Sequence, residues 1–81
     1  MPPDASLPDA QAVADVIREH LAAHPQAADT AAGIQRWWVL PRLGEVALKT
    51  VEDALTLLES QGSIIKQEQP WAGTTWALPA P

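Results

Sequence analysis

Apolar residues recur along this chain in three helical stripes, followed by a stretch of β character. Val13, Ile17 and Leu21, joined by Val16, have helical spacing and predict a first helix. Its start is expected between Ser6 and Asp9, since either side chain can accept from unpaired backbone N–H groups and Pro8 is tolerated in a first turn. Its end is expected near His24, because Pro25 disfavours helical geometry in the residue before it. A second helix should follow Ala28, capped by Asp29 or Thr30. It would carry Ala31, Ile34 and Trp38 on one face, with Trp37 beside them. Gly33 weakens this short helix by about 1 kcal/mol relative to Ala, so tertiary packing must hold it. Pro41 and Gly44 mark residues 40–44 as a turn. Over residues 45–61, Leu48, Val51, Leu55 and Leu58 form a third stripe flanked by Ala47 and Ala54. Gly62 stands where a left-handed C-terminal cap belongs. Residues 63–68, led by Ile64 and Ile65, read as a strand; residues 69–73 supply a turn, and β character resumes over 74–78. Such a hairpin is marginal alone and must lean on the helices, with Trp76 as the expected anchor.

The pattern is thus mostly α with a small β-hairpin. The stretch from Leu48 to Ile64, LKTVEDALTLLESQGSI, resembles the third helix of bacterial winged helix-turn-helix regulators. There a Thr-Val pair (here Thr50 and Val51) opens the helix, spaced Leu residues pack inward, and a Gly (here Gly62) leads into the wing. The resemblance spans residues 10–78. It implies three helices plus a two-stranded wing in one domain over 9–78, with frayed segments at 1–8 and 79–81. The same fold serves DNA binding and protein contacts, so it does not choose between them.

Composition narrows the chemistry. With 81 residues, 47% hydrophobic and 19% charged, the chain suits one globular domain. A domain this small buries only about 60% of its unfolded surface, which leaves little room for a deep catalytic cleft. There is no Phe and no Tyr, so Leu, Ile, Val and four Trp must build the core. Cysteine is absent, so neither a disulfide framework nor a thiolate zinc site is available. Residues 1–4 lack the basic-then-apolar order of a secretory signal, and no apolar run approaches the roughly 20 residues a membrane span needs. A cytoplasmic protein without a membrane partner is expected. His20 and His24 have the i, i+4 spacing that can aim two imidazoles at one metal, but no third ligand accompanies them. The expectation is one His partly buried beside Ile17 and the other near the helix end, where positive charge is favoured. Ser6, Ser60 and Ser63 lack a nucleophile-elbow context, and no Gly-rich loop is placed to cradle a phosphate. No enzyme, cofactor, metal or small-molecule substrate is expected.

Charge separates the remaining readings. The net charge is −5, whereas nucleic-acid binders usually present basic surfaces. In DNA-reading winged helices the outward face of the third helix enters the major groove. Projection at helical intervals puts Glu45, Lys49, Glu52, Asp53, Thr56 and Ser60 on that face, flanked by Val46, Thr50 and Leu57. One base faces three carboxylates. Val46, Leu57 and Trp71 would then be outward apolar groups, suited to a protein contact. The leading expectation is a module binding a protein partner, or a second copy of itself, through Val46, Glu52, Asp53, Leu57 and Trp71. The alternative is a DNA-binding regulator using Arg36, Arg42, Lys49, Thr50 and Lys66. A plainer reading makes the acidic residues a solvated face that serves solubility. Trp37 and Trp38 could form a stacking platform for bases. Adjacent helix residues diverge, however, so Trp38 is expected in the core and Trp37 at its edge.

Overall fold

Helix α1 (Ala10–Ala23) begins where the sequence offers a cap: the Asp9 carboxylate accepts from the Ala12 amide at 2.9 Å. The computed structural model describes residues 9–71 and 73–79, so Ser6, segment 1–8, Ala72 and residues 80–81 lie outside the described residues. Val13, Ala14, Val16, Ile17 and Leu21 are all buried. The helix ends at Ala23, Pro25 and Gln26 form a turn in which the Ala27 amide donates to the His24 carbonyl, and the chain then enters a short strand β1 (Ala28–Asp29).

Of the two candidate caps of the second helix, Thr30 is the one used, and Asp29 lies in β1 just before it. Thr30 is the N-cap, and its hydroxyl accepts from the Gly33 amide at 3.1 Å. The Asp29 carboxylate accepts from the Thr30 amide at 2.8 Å. Helix α2 spans residues 31–43 in three stretches: an α-helical start (Ala31–Gly33), a wider π-helical turn (Ile34–Val39) and an α-helical end (Leu40–Leu43). Residues 40–44 were expected as a turn, yet the helix continues to Leu43. The reason lies in Pro41, which has no N–H and whose ring crowds the preceding turn of a regular helix. The preceding turn is widened, with the Leu40 amide donating to the Gln35 carbonyl five residues back. Gly44, at φ 78°, then ends the helix.

Helix α3 (Leu48–Ser60) starts three residues later than the apolar pattern predicts. Gly44 breaks the helical path, and Ala47 is extended at ψ 143°, so Glu45 and Val46 lie in a connection and not on the helix. Val51, Ala54, Leu55 and Leu58 face inward, whereas Leu48, in the first turn, remains partly exposed. The end of α3 is as predicted. Gly62 adopts φ 76°, its amide donates to the Glu59 carbonyl, and the Ser63 amide donates to the Leu58 carbonyl. These two bonds pair carbonyls that the helix end would otherwise leave open.

Strands β2 (Ile65–Gln69) and β3 (Gly73–Ala77) form the hairpin, with Lys66 opposite Trp76. The sheet has three strands and not two: its order is β1-β3-β2, and all pairs are antiparallel. Ala28 and Asp29 pair with Ala77 and Trp76. The extra strand forms where the chain leaves the turn at Pro25 and Gln26, since Ala28 and Asp29 then lie alongside the edge of β3 not taken by β2 and pair its backbone. Trp76 and Leu78 pack against one core, in which α1, α2 and α3 meet around Ile17, Leu21, Ile34, Leu55 and Leu58. The described chain is therefore mostly helical with a small antiparallel sheet. No helix among the described residues is long and apolar enough to cross a membrane.

Gly33 has a specific steric role. A Cβ at this position would meet the Asp29 carboxylate, which accepts from the Thr30 amide. On an open helix Gly→Ala is stabilising by about 1 kcal/mol; here that gain should be cancelled, because the Asp29 carboxylate must swing aside and give up its bond to the Thr30 amide. Gly33→Ala is expected to leave unfolding free energy within about 0.5 kcal/mol in urea titration. In the Asp29→Ala background the same substitution should recover that gain, because the clash is gone.

Candidate docking surface

The surface formed by α2, the connection 44–47 and α3 carries most of the groups singled out in the sequence. Its geometry rests on Gln35, whose side-chain amide donates to the Val46 carbonyl at 2.6 Å. That bond fastens the connection to α2 and turns the Val46 side chain inward. Val46 is only 7% exposed and belongs to the core. The expectation of Val46 as an outward anchor is thus corrected: helical projection does not apply to a residue that precedes the helix. Leu57 is likewise partly buried and packs against the core, so it is no free anchor. Trp71, at the turn of the hairpin, is 82% exposed.

Three other large apolar residues are exposed, and the projection of α3 did not find them as a surface. Trp37 is 64% exposed on α2, and Leu40 and Leu48 are each about two-fifths exposed. Ala32, Leu40 and Ala47 line a groove of about 640 Å³ between α2 and the connection, with Glu45 and Arg36 on its rim and Val46 in its wall. A signal for part of this was present in the sequence. Trp37 adjoins a core Trp on a helix, so the two side chains must diverge. Trp38 is indeed buried and Trp37 is the outward member.

The basic residues are occupied. Arg42 donates to Glu19 at 2.8 Å, joining α2 to α1, and Arg18 donates to Asp15 at 2.7 Å. Lys49 pairs with Asp53 at 3.2 Å, one helical turn along α3. The Arg36 guanidinium lies over the Trp37 ring, 5.3 Å from its centroid, and the Lys66 ammonium lies 5.7 Å from the centroid of Trp76. The proposed DNA contacts Arg36, Arg42, Lys49 and Lys66 therefore sit on α2, α3 and β2, each beside its own partner. Thr50 is half-buried in the first turn of α3. Glu52 and Asp53 are exposed on the outward side of that helix. Glu45, Glu52 and Glu59 form no ion pair within the described residues. Exposed pairs contribute only about 0.2–1 kcal/mol each, so their effect here is on surface charge more than on stability.

The histidines lie away from this surface, on the seam between α1 and α2. His20 stacks on Trp38, with ring centroids 4.3 Å apart and planes inclined by 17°, and the His24 ring lies 4.7 Å from His20. Among the described residues no group of three or more potential ligands could hold a metal. Burial lowers the His20 pKa below its ordinary 6.5, and the neighbouring His24 charge lowers it further.

No family model matches the chain, and no curated protein or solved structure is significantly similar to it.

Two tests follow from these placements. Val46→Ala should cost about 2 kcal/mol of unfolding free energy, as expected for a buried Val, whereas Trp71→Ala should change it by less than about 0.5 kcal/mol. Equal, small effects in urea titration would return Val46 to the surface. For His20, a folded pKa below the unfolded value means that the unfolded chain binds more protons. Its contribution is present above pH 6.5 and is lost as pH falls through the lowered pKa. The thermal midpoint should therefore decline below pH 6.5 in part through His20, and His20→Gln should flatten that part of the profile.

Proposed function

We propose that this chain is a non-catalytic winged-helix module that docks a protein partner in the cytoplasm, using the outward side of α3 with the adjoining face of α2. The winged-helix reading draws support from the order helix, short strand, helix, helix, hairpin. It also fits a sheet in which the short strand pairs with the second strand of the hairpin. The docking reading is carried by one observation. Three of the five Lys and Arg residues pair with carboxylates and the other two lie over Trp rings, while Glu45, Glu52 and Glu59 have no ion-pair partner among the described residues.

A groove reader gains affinity by bringing unengaged cations to phosphates and releasing counterions. Here the outward side of α3 would bring Glu52 toward phosphates, and Lys49 is already neutralised by Asp53. Like charges opposed across an interface act against association. A protein surface tolerates the same carboxylates at its rim, and exposed Trp37, on the adjoining face of α2, is the residue type that anchors protein contacts.

The discriminating experiment places a photo-crosslinking amino acid at Glu52 in the cells that make the protein. A discrete covalent adduct with another polypeptide is expected. In parallel, the protein should fail to retain a duplex DNA library at about 50 mM salt. A specific duplex complex whose affinity falls steeply with salt, without any adduct, would establish the DNA-binding alternative instead.

A further inference from the structure

The groove beside α2 and the acidic side of α3 adjoin at the connection 44–47. Ala32, Leu40 and Ala47 provide the apolar part of its lining, and Gln35, Arg36 and Glu45 provide a polar part of similar extent. The Gln35–Val46 hydrogen bond ties the connection to α2 without a ligand, so the groove is held by covalent and hydrogen-bonded framework on both sides. Trp37 stands exposed on the same helix, with Arg36 covering one face of its ring. Beyond Glu45, the carboxylates Glu52 and Glu59 follow at intervals of seven residues. Within α3 that spacing places Glu52 and Glu59 on one side, two turns apart. Exposed Trp37 and Leu40 thus lie near three carboxylates without an ion pair among the described residues, against one base in the groove, Arg36, which is turned over the Trp37 ring.

We infer that the groove receives a basic amphipathic helix of another protein, an inference that rests on the docking reading above. Its apolar side chains would sit on Leu40, Ala47 and Trp37, and its Lys or Arg side chains would meet Glu45 and Glu52. A trough between α2 and the connection can take the ridge of side chains on a partner helix, read through anchors at i, i+3, i+4 and i+7. Charge selects this occupant over the others. A second copy of this chain brings ten carboxylates against five bases, and each of those bases already has a neighbour. A nucleic acid brings phosphates to Glu45 and Glu52. A cationic helix alone supplies both the apolar cover and the missing counterions.

Fluorescence anisotropy with labelled peptides tests this on the full chain. The probe is a Leu/Lys amphipathic peptide of about 18 residues, long enough for five helical turns. A Leu/Glu peptide of the same pattern controls for charge, and a Ser/Lys peptide controls for apolar contact. Binding of Leu/Lys alone is expected, weakening as salt rises. Combined Trp37→Ala and Leu40→Ala should weaken it about tenfold, the scale of losing contact anchors. Ala32→Arg, which puts bulk and positive charge on an exposed wall of the groove, should do the same without touching the core. Glu45→Gln with Glu52→Gln should reduce both affinity and salt dependence. Trp71→Ala, at the hairpin turn, should leave binding within about twofold, the scale of a non-anchor contact. Circular dichroism of each variant confirms that the helices remain. Failure of the Leu/Lys peptide to bind, equal binding of either control, or indifference to the groove substitutions would overturn the assignment. A Glu52 adduct in cells together with failed peptide binding would remove the basic helix and leave the docking reading standing; loss of both would remove both.

Discussion

Aliphatic packing between α1 and α3 is the constraint from which the rest of the molecule follows. Ile17 and Leu21 on one helix, with Val51, Leu55 and Leu58 on the other, belong to a core that also takes Ile34 and Trp38 from α2. The chain has no Phe, Tyr or Cys, so it has no large aromatic filler other than Trp and no covalent staple. Losing one of these aliphatic side chains to Ala typically costs about 2–5 kcal/mol, against a total stability of about 5–15 kcal/mol for a small domain. The core therefore has little margin for the loss of any one of these side chains.

Within that frame, the connection between α2 and α3 decides the character of the surface. Pro41 is accommodated by a widened turn, Gly44 ends α2 in a left-handed conformation, and Gln35 holds the Val46 carbonyl. Together these delay the start of α3 and send Val46 inward. The same geometry leaves Leu40 and Leu48 partly exposed at the ends of their helices. A groove opens where an uninterrupted third helix was expected. One hydrogen bond and one glycine thus convert a predicted outward anchor into core and expose other apolar groups in its place.

Electrostatics then gives this surface its sign. The bases are few, and each is held by a carboxylate or an aromatic ring close in space. The surplus carboxylates remain on the connection and on α3. Exposed Trp37 and Leu40 therefore lie near carboxylates that have no ion pair among the described residues. That combination is the ground for proposing a cationic, amphipathic partner.

Much of the architecture was legible in the residues alone. Helical stripes depend on spacing, and caps depend on residues next to each other, so α1, the Asp9 and Thr30 caps and the Gly62 ending follow from local rules. Trp38 in the core and Trp37 outside follow from the angle between neighbouring helix residues. The third strand was not legible, because Ala28 and Asp29 pair with residues almost fifty positions away and carry no local β signal. Nor was the burial of Val46, since it depends on a side chain eleven residues earlier. The third helix shows both kinds of information at once. Its inward stripe and its acidic outward side are set by sequence order, which periodicity translates directly into faces. Its first residue, and with it the groove and the identity of the exposed apolar groups, depends on contacts between segments distant in the chain, which no local pattern encodes.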